Sequence, residues 1–96
     1  MLRISKLTDY ATVILAHLAE HESERLAAAE VAAATGLGVA TVSKLLKELS
    51  RAGLVAATRG ARGGYALARP AGAISAADII DAVEGPVGLT ECATQP

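Results

Sequence analysis

The residues best suited to binding chemistry are cations concentrated in one stretch of the chain. Between positions 44 and 69 there is only one of the ten acidic residues, Glu48, although the formal net charge of the chain is −1. The same stretch contains six of the nine lysines and arginines, namely Lys44, Lys47, Arg51, Arg59, Arg62 and Arg69. Because salt screens charges beyond about 8–10 Å, local charge decides whether a surface attracts phosphate. This distribution predicts binding to nucleic acid.

A helix predicted from Val39 to Ala52 places the first three of these cations on one face. Its apolar residues recur at helical spacing and predict a buried face of Val42, Leu45, Leu46 and Leu49. The opposite face consists of Ala40, Ser43, Lys44, Lys47 and Arg51. In a major groove we expect the base edges to be nearest to Ala40, Ser43 and Lys44. Lys47 and Arg51 would lie closer to phosphates, and Thr41 in the first turn is assigned to the same DNA-contacting set. The alternative is that this face is simply exposed to solvent and binds nothing.

A tight turn joins this helix to a shorter one predicted from Ala28 to Thr35. A helix-turn-helix needs a small residue in the first helix, a glycine in the turn and a branched apolar residue in the second helix. Ala32, Gly36 and Val42 occupy those three positions. The two helices are therefore expected to meet at about 90–120°, which presents the second helix to a major groove.

A predicted β-hairpin follows, with strands at Leu54–Thr58 and Tyr65–Ala68. The loop between the strands contains three glycines together with Arg59 and Arg62. An arginine at such a tip can enter a narrow minor groove, where the potential is most negative. Arg3 and Lys6, at the start of the first helix, are assigned as further phosphate contacts. The alternatives are a plain surface hairpin and solvated terminal charges.

The remaining segments complete a fold that is mainly α with a small β-hairpin, a winged helix-turn-helix DNA-binding domain over residues 1–86. The first helix is predicted to run from a cap at Ser5 to Glu20, with an apolar face of Leu7, Tyr10, Ala11, Ile14 and Leu18. A fourth helix is predicted to begin after Ser75 and to stop at Gly85, with a buried face of Ile79, Ile80 and Val83.

Other residue patterns do not predict catalysis or a metal centre. His17 and His21 are one helical turn apart, but no cysteine, aspartate or third histidine stands near them in sequence, so surface histidines are favoured. No convincing Ser/His/Asp set, carboxylate pair or phosphate-binding loop is found, and the chain is not expected to be an enzyme. No apolar run approaches the ~20 residues of a membrane span, and the N-terminus does not resemble a secretory signal. A cytoplasmic protein without a membrane partner is expected.

Four segments together resemble the IscR-type winged-helix transcription regulators. They are RISKLTDYATVILAHLA, GLGVATVSKLLKELSRAGLV, RGARGGYALARP and ISAADIIDAVEGPVGLTEC, and they follow in order over nearly the whole chain. The likeness is greatest to the branch that regulates the SUF system of iron–sulfur cluster assembly. The resemblance implies a transcription regulator that binds double-stranded DNA and controls iron–sulfur assembly genes.

The same resemblance gives a role to Cys92, the single cysteine. Family members that sense clusters bind [2Fe–2S] through three cysteines in the loop after helix four, and Cys92 stands at the first of these positions. Residues 87–96 are then expected to be the start of that loop. The chain is expected to be a fragment, truncated before the other two cysteines and before the long C-terminal helix through which the family forms homodimers. A [2Fe–2S] cluster with Cys92 as a metal ligand is expected in the intact protein but not in this fragment, because a cluster needs about four ligands.

Two departures from the family pattern concern DNA specificity. The predicted hairpin, Leu54–Ala68, corresponds to the wing of the family, and Arg62 replaces a glycine in its loop. Ser43 stands where some members carry a glutamate that can accept a hydrogen bond from cytosine. The operator preferred by other members is therefore not carried over to this chain. Two other functions stay open: a regulator of the same architecture that senses nitric oxide or a metabolite, and a winged-helix module that binds protein.

Overall fold

Four helices and one antiparallel hairpin form the part of the protein that the computed structural model describes, residues 6–22, 24–58 and 63–85. In chain order the elements are α1 (Lys6–Glu20), α2 (Ala28–Thr35), α3 (Val39–Arg51), β1 (Val55–Thr58), β2 (Gly64–Leu67), a short 3-10 turn (Ala71–Ala73) and α4 (Ala76–Glu84). The expectation of a mainly α fold with a small β-hairpin is confirmed. The predicted helix bounds agree with the observed ones to within one residue.

The core lies where α1, α2, α3 and the start of β1 bring their apolar faces together. The four residues predicted for the inner face of α3 have no exposed surface, which confirms that prediction. The largest fully buried side chains are Ile14, Leu18, Leu45, Leu46, Leu49, Leu54, Val31 and Val42. Removing one such aliphatic side chain from water is worth about 1.5–3 kcal/mol. Leucine, isoleucine and valine therefore supply the stability that aromatic residues supply in many small domains.

The apolar face of α1 is rotated slightly from the predicted one. Leu7 is 36% exposed and does not join the core, whereas Leu15 and Thr8 are buried. The hydroxyl of Thr8 donates a hydrogen bond to the Glu84 carboxylate over 2.6 Å, which links the start of α1 to the end of α4. A buried threonine with a partner on another helix cannot be distinguished by periodicity from a solvated one. The cap expected at Ser5 lies outside the described residues.

Helix α4 is less buried than predicted. None of its residues is fully buried; Ile79 and Val83 pack partly against the core, and Ile80 is half-buried. The helix contacts α1 and α3 at the edge of the core, so its apolar face is only partly covered by described residues. The predicted start is confirmed, because the Ser75 hydroxyl accepts the Asp78 N–H and the Asp78 carboxylate accepts the Ser75 N–H.

The hairpin is joined at its base by a third segment of backbone. Strands β1 and β2 are antiparallel, with Val55 opposite Leu67. The predicted first strand begins one residue too early, and the predicted second strand lies one residue too far along the chain at both ends. Leu26, in the connection between α1 and α2, exchanges two backbone hydrogen bonds of 2.8–2.9 Å with Tyr65. Gly64 lies so close to this connection that a Cβ atom would be 3.0 Å from the Leu26 carbonyl. The wing is therefore anchored to the loop that precedes the helix-turn-helix.

Candidate nucleic-acid interface

The turn between α2 and α3 gives α3 the orientation that a helix-turn-helix requires. The two helix axes are bent by 118° at this turn, within the range expected from the sequence. Gly36 adopts a φ of +79°, and its N–H donates to the Ala32 carbonyl, which closes α2. Ala32 and Val42 are both buried in the core that α2 and α3 share. The three residues that predicted the motif thus lie in the turn and on the buried faces of the two helices.

The face of α3 turned away from the core carries the candidate DNA-contacting residues. Ala40, Lys44, Lys47 and Arg51 are exposed, and Thr41 and Ser43 are half-buried beside them. Within the described residues, neither lysine nor Arg51 forms a salt bridge. The three charges lie on successive turns of one helix, and residues 6–22, 24–58 and 63–85 provide no acidic partner for them. Such a row raises the local positive potential over a surface the width of a helix.

The one acidic residue of this stretch does not cancel that potential by pairing. Glu48 is half-buried, and its Oε1 atom is buried without a hydrogen-bond partner among the described residues. Lys44 stands one helical turn before it, at a spacing that commonly forms an ion pair, and no such pair is present. The outer face of α3 therefore stays cationic.

Arg69 differs from the α3 cations because it has an acidic neighbour. Its guanidinium lies 3.9 Å from the Asp78 carboxylate at the start of α4, and both side chains are partly exposed. An exposed pair of this kind contributes little to stability, but it directs Arg69 towards α4. The pKa of Asp78 is lowered, chiefly by its hydrogen bond from the Ser75 backbone and also by the Ser75 hydroxyl and Arg69.

Several predicted contacts fall on parts of the chain that lie outside the described residues. These are Arg3 at the N-terminus, Arg59 and Arg62 in the wing loop, and Cys92. Lys6 is described and is exposed at the first position of α1. The structure pairs Thr58 with Gly64, which sets the separation of the two ends of the wing loop.

Sequence reasoning missed the contact between Leu26 and Tyr65, which fixes the base of the wing. The polar residues from His21 to Arg25 indicate a loop, and the apolar Leu26 after them is the one signal that the loop returns to the core. Leu26 is buried as well as paired.

Among the described residues no single helix is long and apolar enough to cross a bilayer. Helices α2 and α3 reach that length and hydropathy only together, across their 118° bend.

A comparison with protein families decides the relationship of this chain. The model of the Rrf2 family, described as iron-dependent transcriptional regulators, matches residues 4–96. The chain belongs to the Rrf2 family. The resemblance to IscR-type winged-helix regulators is thereby confirmed at the level of the family, whose members are transcription regulators.

Solved structures of Rrf2-type regulators share the fold described above. CymR (YrzC), the global cysteine regulator of B. subtilis, is 36% identical with a TM-score of 0.82, over 95% of this chain and 71% of that one. IscR of T. potens is 35% identical with a TM-score of 0.79, over 88% of this chain and 62% of that one. The winged helix-turn-helix fold is therefore shown by structure as well as by sequence.

A curated relative is similarly close. Protein aau3 of Rhizobium meliloti (strain 1021) is 35% identical over 91 residues, which are 95% of this chain and 59% of that protein. This Rrf2 chain thus spans about three fifths of the length of that relative.

Proposed function

We propose that residues 1–86 form the DNA-binding domain of a transcription regulator and that α3 enters the major groove of duplex DNA. The observation that carries this proposal is the division of α3 into two faces. One face is fully buried, and the other exposes Lys44, Lys47 and Arg51 without acidic partners in the described part of the chain. A helix held in this way meets a polyanion with little rearrangement.

The proposed roles along α3 follow from the distance of each residue to the N-terminal end of the helix. Near that end Ala40 can contact a thymine methyl, Thr41 and Ser43 can donate or accept hydrogen bonds, and Lys44 can reach the acceptors of guanine. Lys47 and Arg51 would then contact phosphates, as would Lys6 and Arg3. Arg59 and Arg62 of the wing loop are assigned to the minor groove.

Salt dependence tests the proposal against a winged helix that binds protein. Contacts to roughly five to eight phosphates should give a slope of about −0.9 per contact when log affinity is plotted against log salt. Binding of the intact protein to a selected operator should show this slope, and random DNA should be a poor competitor for the complex. Affinity for DNA that does not change with salt, or no affinity at all, would favour the protein-binding module.

For the intact protein, we propose that a [2Fe–2S] cluster at a loop containing residues 87–96 controls DNA binding at iron–sulfur assembly genes. The iron-dependent character of the family and the similarity to IscR support this proposal. This chain alone does not fit a cluster, because it has one cysteine and a cluster needs about four ligands. Anaerobic purification of the intact protein should give the visible absorption of a [2Fe–2S] protein, and Cys92→Ser should abolish it.

A regulator that senses another signal is the second candidate, and the similarity to CymR favours it. CymR is a global cysteine regulator and matches this chain at least as well as IscR does in identity and TM-score. A colourless intact protein whose operator binding changes with a sulfur metabolite would select this candidate. Both candidates describe a cytoplasmic DNA-binding regulator.

We also propose that the intact protein is a homodimer formed through a C-terminal helix. An apolar groove of about 570 Å³ runs between α1 and α4, and it is lined by Thr8, Asp9, Thr12, Val13, Ala76, Ile79 and Ile80. Val13 is 45% exposed there, so further polypeptide could cover it favourably. Light scattering of the intact protein should give the mass of a dimer, and two half-sites should then lie about one helical turn, or a multiple of it, apart.

A further inference from the structure

The C-terminal end of α1 brings together three side chains that can bind a metal ion. One potential ligand atom from each of His17, Glu20 and His21 lies within 4.8 Å of the other two. The two imidazole rings have centroids 4.7 Å apart and are tilted by 53°. No cysteine, aspartate or third histidine is near the two histidines in sequence, but Glu20 is adjacent to His21. Glu20 completes the set because it shares the helix face of both histidines.

We propose that His17, Glu20 and His21 form a site for a divalent transition metal, with zinc as the ion that fits best. Two imidazole nitrogens and one carboxylate oxygen are a common zinc ligand set that leaves a fourth position for water. In tetrahedral zinc with bonds of about 2.0–2.1 Å, ligand atoms are about 3.3 Å apart. The three atoms therefore need only side-chain rotations to close on the ion, and the backbone can stay in place.

A fourth residue orients one of the ligands. The Nδ1 atom of His21 lies 3.3 Å from the Glu24 carboxylate, so a hydrogen bond from Nδ1 to Glu24 would keep Nε2 free to bind a metal. A carboxylate on the far nitrogen fixes the tautomer and the ring orientation and makes the imidazole a better ligand. His21 is half-buried, as is His17, so the two rings lose less freedom on binding than fully solvated side chains would.

The electrostatic surroundings favour a dication at this position. Residues 17–24 contain three glutamates, at positions 20, 22 and 24, and no lysine or arginine. Helix α1 ends at Glu20, so its last carbonyl groups direct the negative end of the helix dipole to the same place. Local acidic charge and the helix end thus act in the same direction. This region is opposite in sign to the outer face of α3.

The site is independent of the residues assigned to DNA and of the single cysteine. None of its members is among the proposed DNA contacts, and all of them precede the helix-turn-helix in the chain. Metal binding can therefore be measured without DNA, and its failure would not bear on the proposed function.

Calorimetric titration of the full chain with Zn²⁺, paired with Co²⁺ absorption spectroscopy, tests the proposal. We expect saturable binding of a single ion per chain with a dissociation constant in the micromolar range. His17→Gln or His21→Gln should weaken binding about tenfold or more, and Glu24→Gln should weaken it less. Glu22→Gln is the matched control, since Glu22 is a neighbouring exposed glutamate outside the cluster. It removes one nearby charge but no ligand, so it should weaken the affinity by about twofold at most and by much less than either histidine variant.

Cys92→Ser separates this site from binding by the thiol. The Cys92→Ser variant should bind zinc with the same affinity as the parent chain. The cobalt spectrum of the parent chain should show no thiolate-to-cobalt charge-transfer band. Both results would support the proposal. No saturable uptake below about 0.1 mM zinc would overturn it. Unchanged affinity in the double variant His17→Gln/His21→Gln, checked for native helix content by circular dichroism, would also overturn it.

Discussion

Helices α3 and α4 are both amphipathic, but they differ in charge and in how completely their apolar faces are covered. Helix α3 buries four aliphatic side chains completely and exposes three cations. Helix α4 buries none completely and carries three acidic residues with no lysine or arginine. The difference agrees with the two partners proposed above. The surface of α3 suits a polyanion, whereas α4, acidic and partly uncovered, suits further polypeptide and is poorly suited to DNA.

Truncation of one core residue on each helix should give the largest difference between them. Leu46→Ala on α3 should lower the free energy of unfolding by about 2–5 kcal/mol, because it leaves a cavity in a fully buried site. Ile80→Ala on α4 should cost clearly less, because Ile80 is half-buried at an open groove. Urea denaturation of both variants of this chain measures the two values. Equal losses would contradict the contrast in burial.

Removal of a cation from α3 should weaken DNA binding according to its position. Lys44→Ala should cost about 1–3 kcal/mol on the preferred operator and much less on random DNA, because a base contact is lost. Lys47→Ala should weaken all sequences alike, because it removes a phosphate contact. Fluorescence anisotropy with both duplexes measures these effects in the intact protein.

The matched control for these variants is Arg25→Ala, which removes an exposed cation outside the proposed interface. It should change binding to either duplex only slightly. If Lys44→Ala, Lys47→Ala and Arg25→Ala had the same effect, net charge and not the face of α3 would govern binding.

Two glycines, one in the hairpin that follows α3 and one in the turn that precedes α4, should respond differently to a single added methyl group. Gly64→Ala in the wing should destabilise the protein by about 1–3 kcal/mol, because the new Cβ would lie 3.0 Å from the Leu26 backbone. Gly72→Ala, in the turn before α4, should be nearly neutral because no atom lies within 4 Å of its Cβ position. Thermal denaturation compares the two variants. A tolerated Gly64→Ala would show that the wing is not held against the connection to α2.

The smallest expected effect concerns the charge that caps α4. The pKa of Asp78 is lowered from its usual 3.8 in the folded state, so the charged carboxylate stabilises the fold. That stabilisation is complete above pH 3.8 and is lost as the pH falls through the lowered pKa. Asp78→Asn should therefore be slightly less stable than the parent near neutral pH, and the difference should vanish in stronger acid. A difference that grew on acidification would have the wrong sign.

The features that sequence predicted well are those determined by neighbouring residues. The bounds of α2 and the turn at Gly36 follow from a glycine that closes one helix a few residues before the next begins. The buried face of α3 follows from leucine and valine at helical spacing. The cap of α4 follows from Ser75 and Asp78 at the spacing of a capping box, in which each side chain accepts the other's backbone N–H.

The features that sequence did not predict depend on contacts between distant segments. Leu26 and Tyr65 are far apart in the chain, and no local pattern indicates their pairing. The depth of Ile80 depends on what covers α4, and periodicity gives the direction of a face without its cover. Arg69 belongs to the cationic stretch by sequence, but it lies against Asp78 in the structure. In the candidate site, exposure of Lys44 and Lys47 was predicted, and the absence of a pair with Glu48 was not.

The salt dependence of DNA binding is the most direct test of the central claim that the outer face of α3 meets the phosphate backbone. The intact protein and a variant with Lys47→Gln and Arg51→Gln should be titrated with the same duplex over a range of salt concentrations. The slope of log affinity against log salt should become less steep by about 0.9 for each phosphate contact removed, close to 1.8 in total. An unchanged slope in the variant would contradict the account.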